Sequence, residues 1–218
     1  PPEVGLTVAA GPDAPRVFDR KSEKPMNSGV PGLYTYRGYY NFFLKDSPKL
    51  VGQLSGESWI LGSALQISTD PADQQRLVDD VCRLYLGDFY QQWQDLLADV
   101  QLKPFNDLNT ALDILQVLSS PTSPLRTLLE TVVRETALAQ PPAAPADADQ
   151  PKEDTSLTQR IAGILGDGTN SAGTAALQPC TIDSRLIAFN THYAGEIKGA
   201  DGAIPPLDKT LSALENLY

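Results

Sequence analysis

His192 is the only histidine in the chain, and histidine is the side chain best suited to moving protons near neutral pH. It falls at the end of a predicted helix, beside Tyr193, where a surface or capping role fits it better than catalysis. No serine stands in a G-x-S-x-G turn. Folding could still assemble a Ser-His-Asp triad, but nothing in the sequence points to one. The run Gly166-Asp167-Gly168-Thr169-Asn170-Ser171-Ala172-Gly173 has the glycines of a phosphate loop. It lacks the lysine and follows a predicted helix rather than a strand, so it reads as a surface loop. Asp167 and Asn170 do not make a calcium loop, which needs alternating oxygen ligands and a late Glu. Asp79-Asp80 lies on a helix that needs a solvated face in any case. These residues predict no catalytic set, no cofactor and no metal site.

Cys82 and Cys180 are too few for a disulfide scaffold and too far apart for a zinc motif. Lone cysteines behave as small apolar residues, so two free buried thiols are expected. A bridge would require an oxidising compartment. Cys82 belongs to one helical stripe and Cys180 opens another helix after a loop, so the pattern predicts no bridge.

The densest local feature is aromatic: Tyr34, Tyr36, Tyr39, Tyr40, Phe42 and Phe43. Aromatics at helical spacing predict core. The competing reading is an exposed surface, either a hot spot for a protein partner or a cell-wall polysaccharide module that stacks sugars on Tyr34, Tyr36 and Tyr39. An open groove at these tyrosines would favour the polysaccharide module; burial would favour a structural role.

The 218 residues carry a net charge of -10. Residues 1–60 are near neutral, at +1; residues 61–140 carry -6 and residues 141–218 carry -5. No basic patch exists for a nucleic-acid backbone, and an anionic membrane surface would repel most of the chain. The longest apolar run, Trp59 to Leu65, is too short to span a bilayer, and residues 1–5 do not resemble a signal peptide. A start without Met and an end at Tyr218 inside a helical pattern predict an excised fragment.

These features rest on a mainly α framework, an antiparallel helical bundle or stack. Residues 1–32 are rich in Pro and Gly and predict an extended or irregular segment, with a possible short strand at Val4, Leu6 and Val8. Residues 33–139 form the main helical domain. Tyr36, Tyr39, Tyr40, Phe43 and Leu44 open it, and Pro48 starts a second stretch with Leu50, Val51, Leu54 and Ile60. The strongest helix covers 71–101, capped by Thr69 or Asp70, with Pro71 at its first position. Its stripe is Leu77, Val81, Leu84, Tyr85, Phe89, Trp93, Leu96, Leu97 and Val100, and its aspartates, Asp99 included, stay in water. Helices at about Asn106–Leu118 and from Ser123 to about Ala139 follow, joined by short turns that predict antiparallel neighbours. Leu84, Phe89, Trp93, Leu97, Leu112, Leu115, Leu128 and Val132 are expected to share one core. Residues 140–155 form a Pro/Ala-rich linker. Residues 156–218 form a smaller helical portion packing on the main domain, with helices at Ser156–Leu165, Thr181–Ala194 and Pro206–Tyr218.

Four segments resemble the IcmF/TssM family. Val30-Pro31-Gly32-Leu33-Tyr34-Thr35-Tyr36-Arg37-Gly38-Tyr39-Tyr40 is similar to its "vPGLfTr-Gyy" segment, and Glu57 to Gly62 to its "E-x-W-v-L-G". Leu84 to Trp93 is similar to its "lY-x-x-dY-x-x-x-W", and Ser123-Pro124-Leu125 to its "SPL" before a helix. The resemblance covers about residues 30–139, and more loosely Phe189 to Tyr218. It implies a periplasmic portion of an inner-membrane protein of the type VI secretion system, acting as a non-catalytic scaffold. The implied partners are other subunits of the membrane complex and copies of the same chain. The outer-membrane lipoprotein of such complexes would be contacted by a C-terminal β-rich region absent here.

Overall fold

Two short antiparallel ribbons frame a mostly helical chain. The computed structural model describes residues 1–47, 70–142, 180–199 and 203–216. The expected stretch after Pro48, most of the 140–155 linker, the Ser156–Leu165 helix and the Gly166–Gly173 loop lie outside them.

Strand β1 (Val4–Gly5) pairs with β3 (Gly29–Val30), Val4 opposite Val30. The expected alternation of Val4, Leu6 and Val8 stops there, because the chain turns into α1 (Leu6–Ala9), which buries Leu6 and Ala9 and leaves Val8 70% exposed. Helix α2 (Ala14–Val17) leads directly into β2 (Phe18–Arg20).

A 3-10 turn at Gly32–Tyr34 precedes α3 (Tyr36–Gly38), which continues as a π-helical stretch at Tyr39–Phe43 and as helix over 44–47. Thr35 caps α3: its Oγ1 accepts from Gly38 N at 3.0 Å and donates to Gly32 O at 2.8 Å. Gly38 is required here, since a Cβ would collide with the Gly32 and Leu33 carbonyls.

Helix α4 (Pro71–Asp99) begins as its sequence predicts, with the Asp70 carboxylate accepting from Ala72 N at 2.9 Å. Its inward face is Val78, Cys82, Tyr85, Leu86, Phe89, Trp93 and Leu96. The expected stripe is corrected at one position: Leu86 is buried, whereas Leu84, about 140° round the helix from the middle of this face, is 71% exposed. The helix also ends two residues before the expected 101. Val100–Leu102 forms β4 and pairs with β2, Phe18 opposite Leu102 and Arg20 opposite Val100. At that junction Asp99 is not a solvated surface residue. Its carboxylate accepts from Arg20 Nε at 2.7 Å and from Ser22 N at 2.7 Å, and the Arg20 side chain is only 5% exposed.

Helix α5 (Leu108–Ser119) is capped by Asp107, which accepts from Thr110 N at 2.8 Å. It turns Ile114, Val117 and Leu118 inward, so the expected core residue Leu112 falls on the outer face, 37% exposed, while Leu115 is half-buried. Helix α6 (Pro124–Thr136) follows the Ser-Pro signal. Ser123 occupies its cap position without capping it: the buried Oγ makes no hydrogen bond. Helix α7 (Ser184–Lys198) is capped by Asp183, which accepts from Arg185 N at 2.8 Å, and α8 is Pro206–Glu215.

Phe89, Trp93, Leu128 and Val132 do share one core, with Leu97 half-buried against it. The main helix partnerships join early segments to late ones: α7 packs on α6, and α8 lies on α5 and α7. Asn190 ties α7 to α6 by donating to Val133 O at 2.7 Å. The same packing brings the cysteines together. Cys82 and Cys180 form a disulfide with Cα atoms 5.6 Å apart, which overturns the expectation of free thiols. Their 98-residue separation conceals a contact that exists because the start of α7 lies beside α4.

Candidate functional site

The aromatic cluster closes on itself. Phe43 stacks on Tyr85 with ring centres 3.7 Å apart, and Tyr39 lies against Tyr40, Phe43 and Tyr85. Tyr39 is 2% exposed, while Tyr34, Tyr36 and Tyr40 are half-buried; only Phe42 of the group faces solvent substantially, at 44%. The polar ends of these rings act as ties between distant segments. Tyr85 donates to Leu33 O, Tyr36 to Gln140 O and Tyr40 to Leu138 O, each at 2.6 Å. Burial pushes the Tyr39 and Tyr40 hydroxyls up to about 12 and Tyr85 further still, so all three remain protonated donors at neutral pH. Among the described residues, the three tyrosines of the polysaccharide reading therefore do not line an open groove.

An open groove does exist elsewhere, between α4 and α7, with a volume of about 560 Å³. Tyr90 and Gln94 of α4 face Arg185, Phe189, His192 and Tyr193 of α7 across it. Phe189 meets Tyr90 edge-on at 5.4 Å and Tyr193 at 4.9 Å. The Arg185 guanidinium lies 5.9 Å from the Tyr90 ring centre and pairs with Asp183 at 2.6 Å. His192 is exposed within α7, edge-on to Tyr193 at 5.0 Å, and not at the helix end. The sequence pattern did not reveal this site. Its sole local signal is the i,i+4 pair Phe189 and Tyr193, and the other wall is a hundred residues away.

Among the described residues no three His, Cys, Asp or Glu side chains group as metal ligands, and no helix is long and apolar enough to cross a membrane.

The family model described as IcmF-related, intracellular multiplication and human macrophage-killing, matches residues 1–137. The chain belongs to the IcmF-related family. It is also 38% identical over 223 aligned residues to the type VI secretion system component TssM1 of Pseudomonas aeruginosa, a match covering all of this chain. This IcmF-related chain spans 20% of the length of that relative. No solved structure matches it.

Proposed function

We propose that this chain is a non-catalytic structural segment of a type VI secretion membrane complex, lying in the periplasm as part of an inner-membrane protein. Its partners are other subunits of that complex and further copies of the same protein. The observation that carries the reading is the use of the aromatic cluster. Tyr36, Tyr40, Tyr85 and Trp93 donate to main-chain carbonyls far away in sequence, which joins the N-terminal segment, α4 and the end of α6 into one body. A strut needs that cohesion, and a sugar-stacking platform at Tyr34, Tyr36 and Tyr39 would need the same rings open. The Cys82–Cys180 bond supports the compartment, because such bonds persist where the surroundings are oxidising. Kinship to a type VI secretion component supports the system.

The test uses the full-length protein in its native cells. Trp93→Ala, which empties the core, is expected to abolish co-purification of the other membrane-complex subunits, whereas exposed Gln116→Ala leaves it intact. Normal complex assembly around a Trp93→Ala protein shown to be locally unfolded would contradict a structural role.

A further inference from the structure

The tyrosines of the α4–α7 groove differ from those of the core cluster. Tyr90 and Tyr193 make no hydrogen bond to any described residue, nor do the side chains of Gln94 and His192, both of which are exposed. The two phenols lie close enough to interact: burial, and then Tyr90, raise the Tyr193 hydroxyl above its ordinary value. The nearest cation, Arg185, is already neutralised by Asp183. The groove thus combines aromatic rings with two phenols, a carboxamide and an imidazole that bond to no described residue, on a chain of net charge -10.

We propose that this groove binds a neutral glycan chain, a pyranose ring lying against Tyr90, Phe189 and Tyr193 and its hydroxyls meeting Tyr90, Gln94, His192 and Tyr193. A pyranose offers an apolar C–H face to an aromatic ring and hydroxyls that both donate and accept. Phenol and carboxamide also do both, so each can match a hydroxyl in either sense, and an imidazole N–H can donate to a hydroxyl oxygen. Other ligand classes fit less well. An apolar helix would bury four polar groups without partners, which is costly. A polyanion would meet an acidic chain whose local cation is occupied. A basic peptide would find the nearby carboxylate, Asp183, bound to Arg185. The volume, about 560 Å³, falls within the usual range of ligand sites, about 300–1,000 Å³. The inference goes beyond the strut reading and does not depend on it, since the binding assay reads the groove directly.

The test is titration of the whole chain with tetra-N-acetylchitotetraose, followed residue by residue by NMR amide shifts. Shifts concentrated around Tyr90, Gln94, Phe189 and Tyr193 are expected. Gln94→Ala and His192→Ala change exposed side chains, and Tyr193→Phe keeps the ring; with the fold verified by circular dichroism, each should weaken binding about three- to tenfold. Silence of the groove up to the solubility limit of the sugar would overturn the proposal. So would undiminished binding in all three variants, or equal affinity for an oligogalacturonate of the same length.

Discussion

The indole Nε1 of Trp93 donates to the main-chain carbonyl of Tyr34 at 2.9 Å, from a ring with no exposed surface. This bond fastens the turn before α3 to the last third of α4. Trp93→Phe should keep most of the packing but leave the Tyr34 carbonyl without its donor, at a cost of about 1–3 kcal/mol. Trp93→Ala should cost about 3–5 kcal/mol. Urea unfolding of the two variants reads both figures, and a Trp93→Phe protein as stable as the parent would show that the hydrogen bond contributes nothing measurable.

The Cys82–Cys180 bond closes a 98-residue separation, for which loop-closure entropy predicts about 4–5 kcal/mol of stabilisation. The oxidised protein, unfolded without reductant, should show no free thiol. Adding dithiothreitol should lower the urea midpoint, and Cys82→Ser with Cys180→Ser should reproduce the lower value without reductant. Two free thiols in the unreduced protein would refute the bridge.

Two ion pairs of similar appearance should differ in worth. Arg16–Asp113 is about half exposed on both sides and screened by solvent, so Asp113→Ala should barely move the urea midpoint. Arg20–Asp99 is largely buried and shares its carboxylate with Ser22, so Asp99→Ala should cost more, about 2–4 kcal/mol. Burial pushes the Asp99 carboxyl up, but hydrogen bonds from Ser22 and Arg20 outweigh it and hold the carboxyl below its ordinary value. A depressed carboxyl stabilises the fold above its unfolded pKa of about 4, and that contribution is lost as pH falls further. The Asp99→Ala loss measured at pH 7 should therefore shrink in acid; a loss that grows there would refute the assignment.

The alkaline limb follows from the buried phenols. Unfolded tyrosines ionise near pH 10, whereas Tyr39 and Tyr40 are pushed up to about 12 in the fold. The unfolded chain therefore holds fewer protons above pH 10, and stability falls as pH rises from about 10 to 12. Phenolate absorbance should show these rings titrating together with unfolding. Their ionisation near pH 10 with the fold intact would show that they are solvated.

The resemblance implies lipoprotein contact through a β-rich region, and the sheets among the described residues are two-stranded ribbons. Titration of this chain with the purified outer-membrane lipoprotein should give no sub-micromolar affinity. Tight binding would move the docking site into residues 1–218.

What was legible in the sequence was local. Asp70-Pro71 marks a helix start because capping is decided within four residues. Ser123-Pro124 marked the right boundary through the proline, although the serine hydroxyl does not cap. What was hidden depends on pairing across the chain. Val100–Leu102 carries a helical apolar pattern, yet it forms a strand because Phe18–Arg20 lies beside it. Leu84 and Leu112 fit apolar stripes but face outward, since neighbouring helices select a different face. The disulfide and the α4–α7 groove each join residues about a hundred positions apart, beyond any local spacing rule.

If these helices stand in the periplasm as a folded strut, as proposed, a thiol on their surface is reachable once the outer membrane is open. Gln116 is exposed on α5, and Gln116→Cys places a reactive thiol there, while Cys82 and Cys180 are occupied by each other. Cells producing the full-length protein with this substitution are treated with a membrane-impermeant maleimide after the outer membrane alone has been opened. Labelling of Gln116→Cys well above that of the parent protein is expected. Labelling that requires the inner membrane to be broken would place the segment on the other side and refute the periplasmic placement.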